Sequence, residues 1–130
     1  MAETTNPLDL LLQSDLPDLR KALPTKEVGV LRLTKAAGAP VIFRLRAMTS
    51  QEVRRINETR PEDRAAQAVL LCCQSPSWKD SRLLDPDRDI ATPLDAIHAR
   101  LLPGETDELF VEIQRLTGYL SSNLAEVKNG

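Results

Sequence analysis

Leucines dominate the first stretch of the chain. Leu8, Leu11 and Leu12 fall on one face of a helix that Pro7 would open, with Asn6 as its N-cap. Pro17 limits that helix to two turns. Leu16, Leu19 and Leu23 continue at spacings that suit a second short turn before Pro24. A helix this short is marginal in water on its own. These leucines must pack on something, either the domain or a partner.

The period then changes from helical to alternating. Val28 to Leu33 and Val41 to Arg46 are rich in strand-forming residues. In the second run Val41, Phe43 and Leu45 point one way while Arg44 and Arg46 point the other, which is the pattern of a half-buried strand. Lys35 to Pro40 reads as a turn. An antiparallel β-hairpin near residues 27–47 is expected, with Val41, Phe43 and Leu45 packed on helices, because two strands alone are not stable.

From Met48 onward the helical period returns. Thr49 and Glu52 form a capping box, and Met48 and Val53 are placed for a hydrophobic staple. Val53 and Ile56 share a face, and Arg60-Pro61 breaks the helix. Glu62 and Asp63 place acid at the start of the next helix, whose apolar stripe is Ala65, Ala66, Val69, Leu70 and Cys73. Ser75-Pro76-Ser77 ends it. Residues 77–91 are polar and irregular apart from Trp78, Leu83, Leu84 and Ile90; Trp78 suits packing over its own domain better than an interface anchor. Thr92 caps a further helix with Pro93 at its first position and Leu94, Ile97 and Leu101 on one side. Pro103-Gly104 turns the chain into a last helix with an acidic first turn and an apolar stripe of Leu109, Ile113 and Leu116. Gly118 suits the left-handed position after that helix, with Tyr119 folding back over its last turn.

The pattern gives an α+β fold, predominantly helical, with about four to five helices packed around one antiparallel β-hairpin. Residues 1–6 read as a disordered start, 7–120 as a single domain and 121–130 as a flexible polar tail. The 130 residues suit one domain with a modest core. Aromatic residues are only 3% of the chain, so that core must be aliphatic, and few rings remain for stacking on bases or sugars.

Charge and candidate chemistry narrow the function. The formal net charge of −2 argues against nucleic acid as the main partner. Arg44, Arg46, Arg54 and Arg55 make a local basic cluster, read either as solvated charge or as a contact for an acidic partner segment. Cys72 and Cys73 are adjacent, fit no zinc or C-x-x-C pattern, and read as buried thiols of a reducing compartment. The polar N-terminus does not resemble a signal peptide, and no apolar run approaches the ~20 residues of a membrane span. His98, the only histidine, has Asp95 nearby on its helix but no nucleophile in pattern with it. The run Asp85 to Asp89 lacks the glycine and the final glutamate of a calcium loop. The five glycines are not clustered, so no phosphate loop is present, and no hydrolase or zinc-protease motif occurs. No catalytic, cofactor-binding or metal-binding residue is assigned, and the chain does not read as an enzyme.

Several pieces together resemble the phage XkdN-like tail assembly chaperones. They are the leucine-rich opening with Lys26-Glu27-Val28, then Pro40 to Ala47 with Thr49 and Glu52-Val53. Ala91-Thr92-Pro93, Leu101 to Glu105 and Ile113 to Tyr119 follow in order, so the resemblance runs from about residue 8 to about residue 119, with little signal in 60–90. The resemblance implies a cytoplasmic role in the bacterial host during tail morphogenesis. The chain would bind the long tape measure protein and keep it soluble until tail-tube subunits polymerise, and would be absent from the finished virion. Many relatives also exist as a longer frameshifted product, for which Ser121–Gly130 would be a sensible place of extension. Leu8, Leu11, Leu12, Leu16 and Leu19 are the first candidates for the tape measure contact, and Arg44, Arg46, Arg54 and Arg55 the second. The tail-tube protein and further copies of the chain are the other partners considered; nucleic acid and membrane are not. A structural tail or baseplate component retained in the particle is the alternative.

Overall fold

The computed structural model describes residues 6–13 and 15–127. The expectations for residues 1–5 and 128–130 lie outside the described residues. In chain order the elements are α1 (Pro7–Leu11), β1 (Thr25–Gly29), α2 (Leu31–Ala37), β2 (Ile42–Arg46), α3 (Ser50–Glu58), α4 (Arg64–Cys72), β3 (Cys73–Ser75), α5 (Pro93–Arg100) and α6 (Pro103–Leu116). Single 3-10 turns occupy Pro61–Asp63, Ser81–Leu83 and Pro86–Arg88. The fold class is α+β and predominantly helical.

The sheet differs from the expected hairpin in two ways. First, it has three antiparallel strands in the order β1-β2-β3. The third strand, Cys73–Ser75, is the direct continuation of α4, so residues expected to end a helix instead pair with β2 across an irregularity at Arg44 and Leu45. Second, β1 begins at Thr25 and stops at Gly29, and Leu31–Ala37 is helical rather than strand and turn. The Leu31-Arg32-Leu33 alternation suggested a strand, but Thr34-Lys35-Ala36-Ala37 followed by Gly38 completes a helix and its stop. Gly38 lies at φ 70°, and its N–H donates to the Thr34 carbonyl at 3.0 Å. Thr34 also holds the return path, because its Oγ1 accepts from the Val41 N–H at 2.9 Å.

Register explains which strand residues enter the core. Val28 stands opposite Phe43, and Lys26 opposite Leu45. Phe43, Leu45 and Cys73 are buried on the face turned to the helices, while Glu27, Ile42 and Arg44 are exposed on the other. The alternation read from Val41, Phe43 and Leu45 therefore holds.

Helix α4 is the centre of the domain. It packs against α3, α5, α6, β2 and β3. Ala66, Gln67, Ala68, Val69 and Cys72 are all buried, so burial extends beyond one stripe. The expected Ala65 and Leu70 lie at its half-buried margins. Ile97, Leu101, Leu109 and Ile113 close the core from α5 and α6. Trp78 packs into the domain, edge-on to Phe43 with ring centroids 5.8 Å apart.

The helix ends follow their local chemistry. Thr49 Oγ1 accepts from the Glu52 N–H, and Glu52 Oε1 accepts from the Thr49 N–H at 3.0 Å. Thr92 and Asp95 repeat this box at α5. The α5–α6 corner is tighter than expected: Pro103 and Gly104 already belong to α6, and Glu105 Oε1 accepts from the Leu102 N–H at 2.7 Å. At the far end Gly118 sits at φ 98°. Its N–H donates to the Arg115 carbonyl and the Tyr119 N–H to the Gln114 carbonyl, which is a Schellman ending.

Ile113 is fully buried where α6 meets this core. Ile113→Ala should cost about 2–5 kcal/mol of unfolding free energy, read as a lower midpoint in a urea titration with an unchanged slope.

Candidate partner-binding surface

The leucine-rich opening forms a helix of only five residues. The Leu8 N–H donates to Asn6 Oδ1 at 2.9 Å and Pro7 occupies the first turn, as their residue types favour. No residue of α1 is buried. Leu8, Leu11, Leu12, Leu16 and Leu19 are between 45% and 74% exposed, so the domain does not take them into its core. Full burial of one such side chain is worth about 1.5–3 kcal/mol. A partner that covers several of them therefore has a substantial apolar drive.

The four arginines do not form one open cluster. Arg44 is exposed on the outer face of β2, and Arg54 and Arg55 are exposed on α3. Among the described residues none of these three forms an ion pair. Arg46 is different. Its guanidinium makes a two-pronged contact with Glu52 at 2.7 and 2.8 Å. It also donates to the Ala47 carbonyl at 2.9 Å and the Leu71 carbonyl at 2.7 Å. Both ends of the ion pair are about one-fifth exposed. Arg46 is thus a tie between β2, α3 and α4, with few donors left for a partner. Its hydrogen bonds to Glu52 hold the guanidinium above its ordinary pKa, and the same contact holds the Glu52 carboxyl below the ordinary carboxylate range.

Other polar contacts fasten β1 and α2 to α6. Lys26 pairs with Glu112 at 2.8 Å and Arg32 with Glu105 at 2.8 Å. Arg32 also donates to the Arg100 carbonyl at 2.8 Å. Thr117 Oγ1 accepts from the Met48 N–H at 3.0 Å and donates to the Ile113 carbonyl at 2.7 Å, joining the end of α6 to the start of the α3 cap.

The two cysteines are not activated as nucleophiles. Burial pushes the Cys72 thiol up to about 12 and the Cys73 thiol up to about 11, so at neutral pH both are held as inert thiols. The buried Trp78 indole N–H has no hydrogen-bond partner among the described residues. His98 is exposed on α5. Among the described residues no group of three or more His, Cys, Asp or Glu side chains is arranged to hold a metal ion, and no helix is long and apolar enough to cross a membrane.

The family model of the phage XkdN-like tail assembly chaperone protein matches residues 8–129, from α1 through α6 and beyond. The chain belongs to the phage XkdN-like tail assembly chaperone family. The match includes the exposed leucines and all four arginines. It also covers the α3 and α5 capping boxes and the Gly118 ending. The crystal structure of the protein yqbn resembles this fold with a TM-score of 0.54 at 17% identity, over 75% of this chain and 89% of that one. None of the curated proteins compared matches this chain.

The structure leaves the five leucines and Arg44, Arg54 and Arg55 exposed, whereas the inward turn of Arg46 departs from the expected basic cluster. The signal was Glu52 six residues on, which had already been assigned to the helix cap. Helix α2 also stands where strand and turn were expected, with a shallow apolar depression beside it.

Loss of the tie should be felt as stability. Arg46→Ala leaves Glu52 and the Leu71 carbonyl half-buried without their partner, which should cost about 1–3 kcal/mol, whereas Arg44→Ala should stay within about 0.5 kcal/mol. Because the folded Glu52 pKa lies below its ordinary 4.5, its contribution is present above that pH and lost as pH falls through the folded value. Glu52→Gln should therefore flatten the acid limb of a plot of melting temperature against pH.

Proposed function

We propose that the chain is a tail assembly chaperone that binds the tape measure protein and keeps it soluble during tail morphogenesis, without catalysis. It acts in the cytoplasm of the bacterial host and is absent from the finished virion. The observation that carries this reading is the set of five leucines in and after α1 left exposed by the domain. Small chains with a well-packed core seldom keep so many aliphatic side chains in water without a use for them.

A tape measure protein is long and helical, and its apolar stripes aggregate when bare. Many copies of a small domain cover such stripes, each through a modest apolar contact. Repetition along one chain raises the effective affinity, while each copy stays weak enough for tail-tube subunits to displace it. Leu8, Leu11, Leu12, Leu16 and Leu19 supply the apolar contact in this reading. Arg44, Arg54 and Arg55 supply a second one for acidic partner segments; Arg46 is left out because Glu52 occupies it.

The test is co-expression with the tape measure protein of the same element, followed by pull-down and a solubility assay. The partner should be soluble only when this chain is present. Leu11→Asp with Leu12→Asp should abolish that effect while leaving the melting temperature within about 2 °C of the parent, because both positions are already exposed. A tape measure protein that neither binds nor gains solubility refutes the reading, and recovery of the chain in finished tails would favour a structural component instead.

A further inference from the structure

Strand β1 lies at one edge of the sheet and pairs only with β2. Residues of an antiparallel pair alternate between bonding across the pair and pointing away from it. The Val30 N–H donates to the Val41 carbonyl at 3.0 Å, and the Ala47 N–H to the Pro24 carbonyl at 2.9 Å. That parity turns the main chain of Lys26 and Val28 toward β2. The N–H and C=O groups of Thr25, Glu27 and Gly29 therefore face outward, and among the described residues they have no partner. All three residues are exposed, and open space surrounds the Gly29 backbone.

A groove of about 650 Å³ runs along this edge, between β1 with the start of α2 on one side and α6 on the other. No residue of β2 lines it, so it opens on the side of β1 that β2 leaves free. Val28 and Val111, both half-buried, give it an apolar floor. Its three cations are already matched: Lys26 and Arg115 pair with Glu112, and Arg32 with Glu105. Two carboxylates are not. Glu108 on the lining and Glu27 on the outer face of β1 form no ion pair among the described residues. The unmatched charge is thus negative, and the unmatched main-chain groups recur every second residue, as they do along a strand.

We propose that the free edge of β1 takes up an extended segment of another protein as a fourth strand, with apolar residues on Val28 and Val111 and basic side chains reaching Glu27 and Glu108. Main-chain hydrogen bonds to Thr25, Glu27 and Gly29 hold the segment, and its alternate side chains give the selectivity. Helix α6 backs the added strand as it backs β1. The inference goes beyond the tape measure reading and does not rest on it, because it concerns the β1 edge and not the leucines.

Amide NMR of the full chain, titrated to about 1 mM with the capped peptide Lys-Val-Lys-Val-Lys-Val-Lys, tests it. Amides of Thr25, Glu27 and Gly29 should exchange freely without peptide, then shift and become protected with it. Glu27→Pro removes an outward N–H and none of the bonds to β2, so circular dichroism should show parent-like folding while the peptide binds at least about tenfold more weakly. Glu27→Gln removes only charge and should weaken binding about two- to fivefold. The same peptide with its backbone amides N-methylated should not bind. Leu11→Asp with Leu12→Asp should bind the peptide as the parent does, which separates this edge from the tape measure contact. A parent whose β1 amides do not respond overturns the proposal, and so does equal binding of the N-methylated peptide. Protection of those amides before any peptide is added also overturns it, since the chain itself would then hold the edge.

Discussion

The structure depends on how closely other elements approach α4. Ala66, Ala68, Val69 and Cys72 are at most 1% exposed, and three helices and two strands meet around them. Small side chains at these positions set the separation between α4 and α6. A methylene added there would force strain into a core that is packed as densely as an organic crystal. The composition makes this necessary. With so few aromatic residues, contact area comes from aliphatic groups packed at short range, and Phe43 of the central strand against Trp78 is an exception.

Fastenings at the periphery follow from that centre. Arg46 reaches past β2 to the Leu71 carbonyl on α4 and to Glu52 on α3, so one guanidinium fixes three elements. Lys26 and Arg32 do the same between the first half of the chain and α6, with more solvent around them and correspondingly less effect on stability. Nothing comparable holds α1. It has one side-chain cap and no buried residue, which places it at the low end of local stability. A rigid centre with an unburied leucine segment fits the proposed reading, in which the domain would keep its shape while the segment changes partners.

Much of this was legible in the residues. Capping boxes at Thr49 and Thr92, the glycine ending at Gly118 and the Phe43 and Leu45 face all follow from short-range rules, and the structure has them. The misreadings share one cause, which is that tertiary pairing outweighed local pattern. Cys73–Ser75 has no strand signal of its own and becomes β3 because β2 offers an open edge. Leu31–Leu33 alternates like a strand yet is helical, since Thr34 through Gly38 favour a helix with a left-handed stop. Arg46 looked solvent-facing from its place in the alternation, but its long side chain turns back to Glu52. The family resemblance, by contrast, rested on the order of several weak motifs and is matched by the family model across residues 8–129.

The central claim is that the leucine segment is where a tail partner is held. Hydrogen–deuterium exchange of the chain, free and saturated with tape measure protein, tests it most directly. Amides of residues 8–13, 15, 16, 18 and 19 should exchange rapidly in the free chain and become strongly protected in the complex, while those of α4 stay slow in both. Protection confined to other surfaces, with residues 8–19 exchanging as fast as in the free chain, would contradict the account.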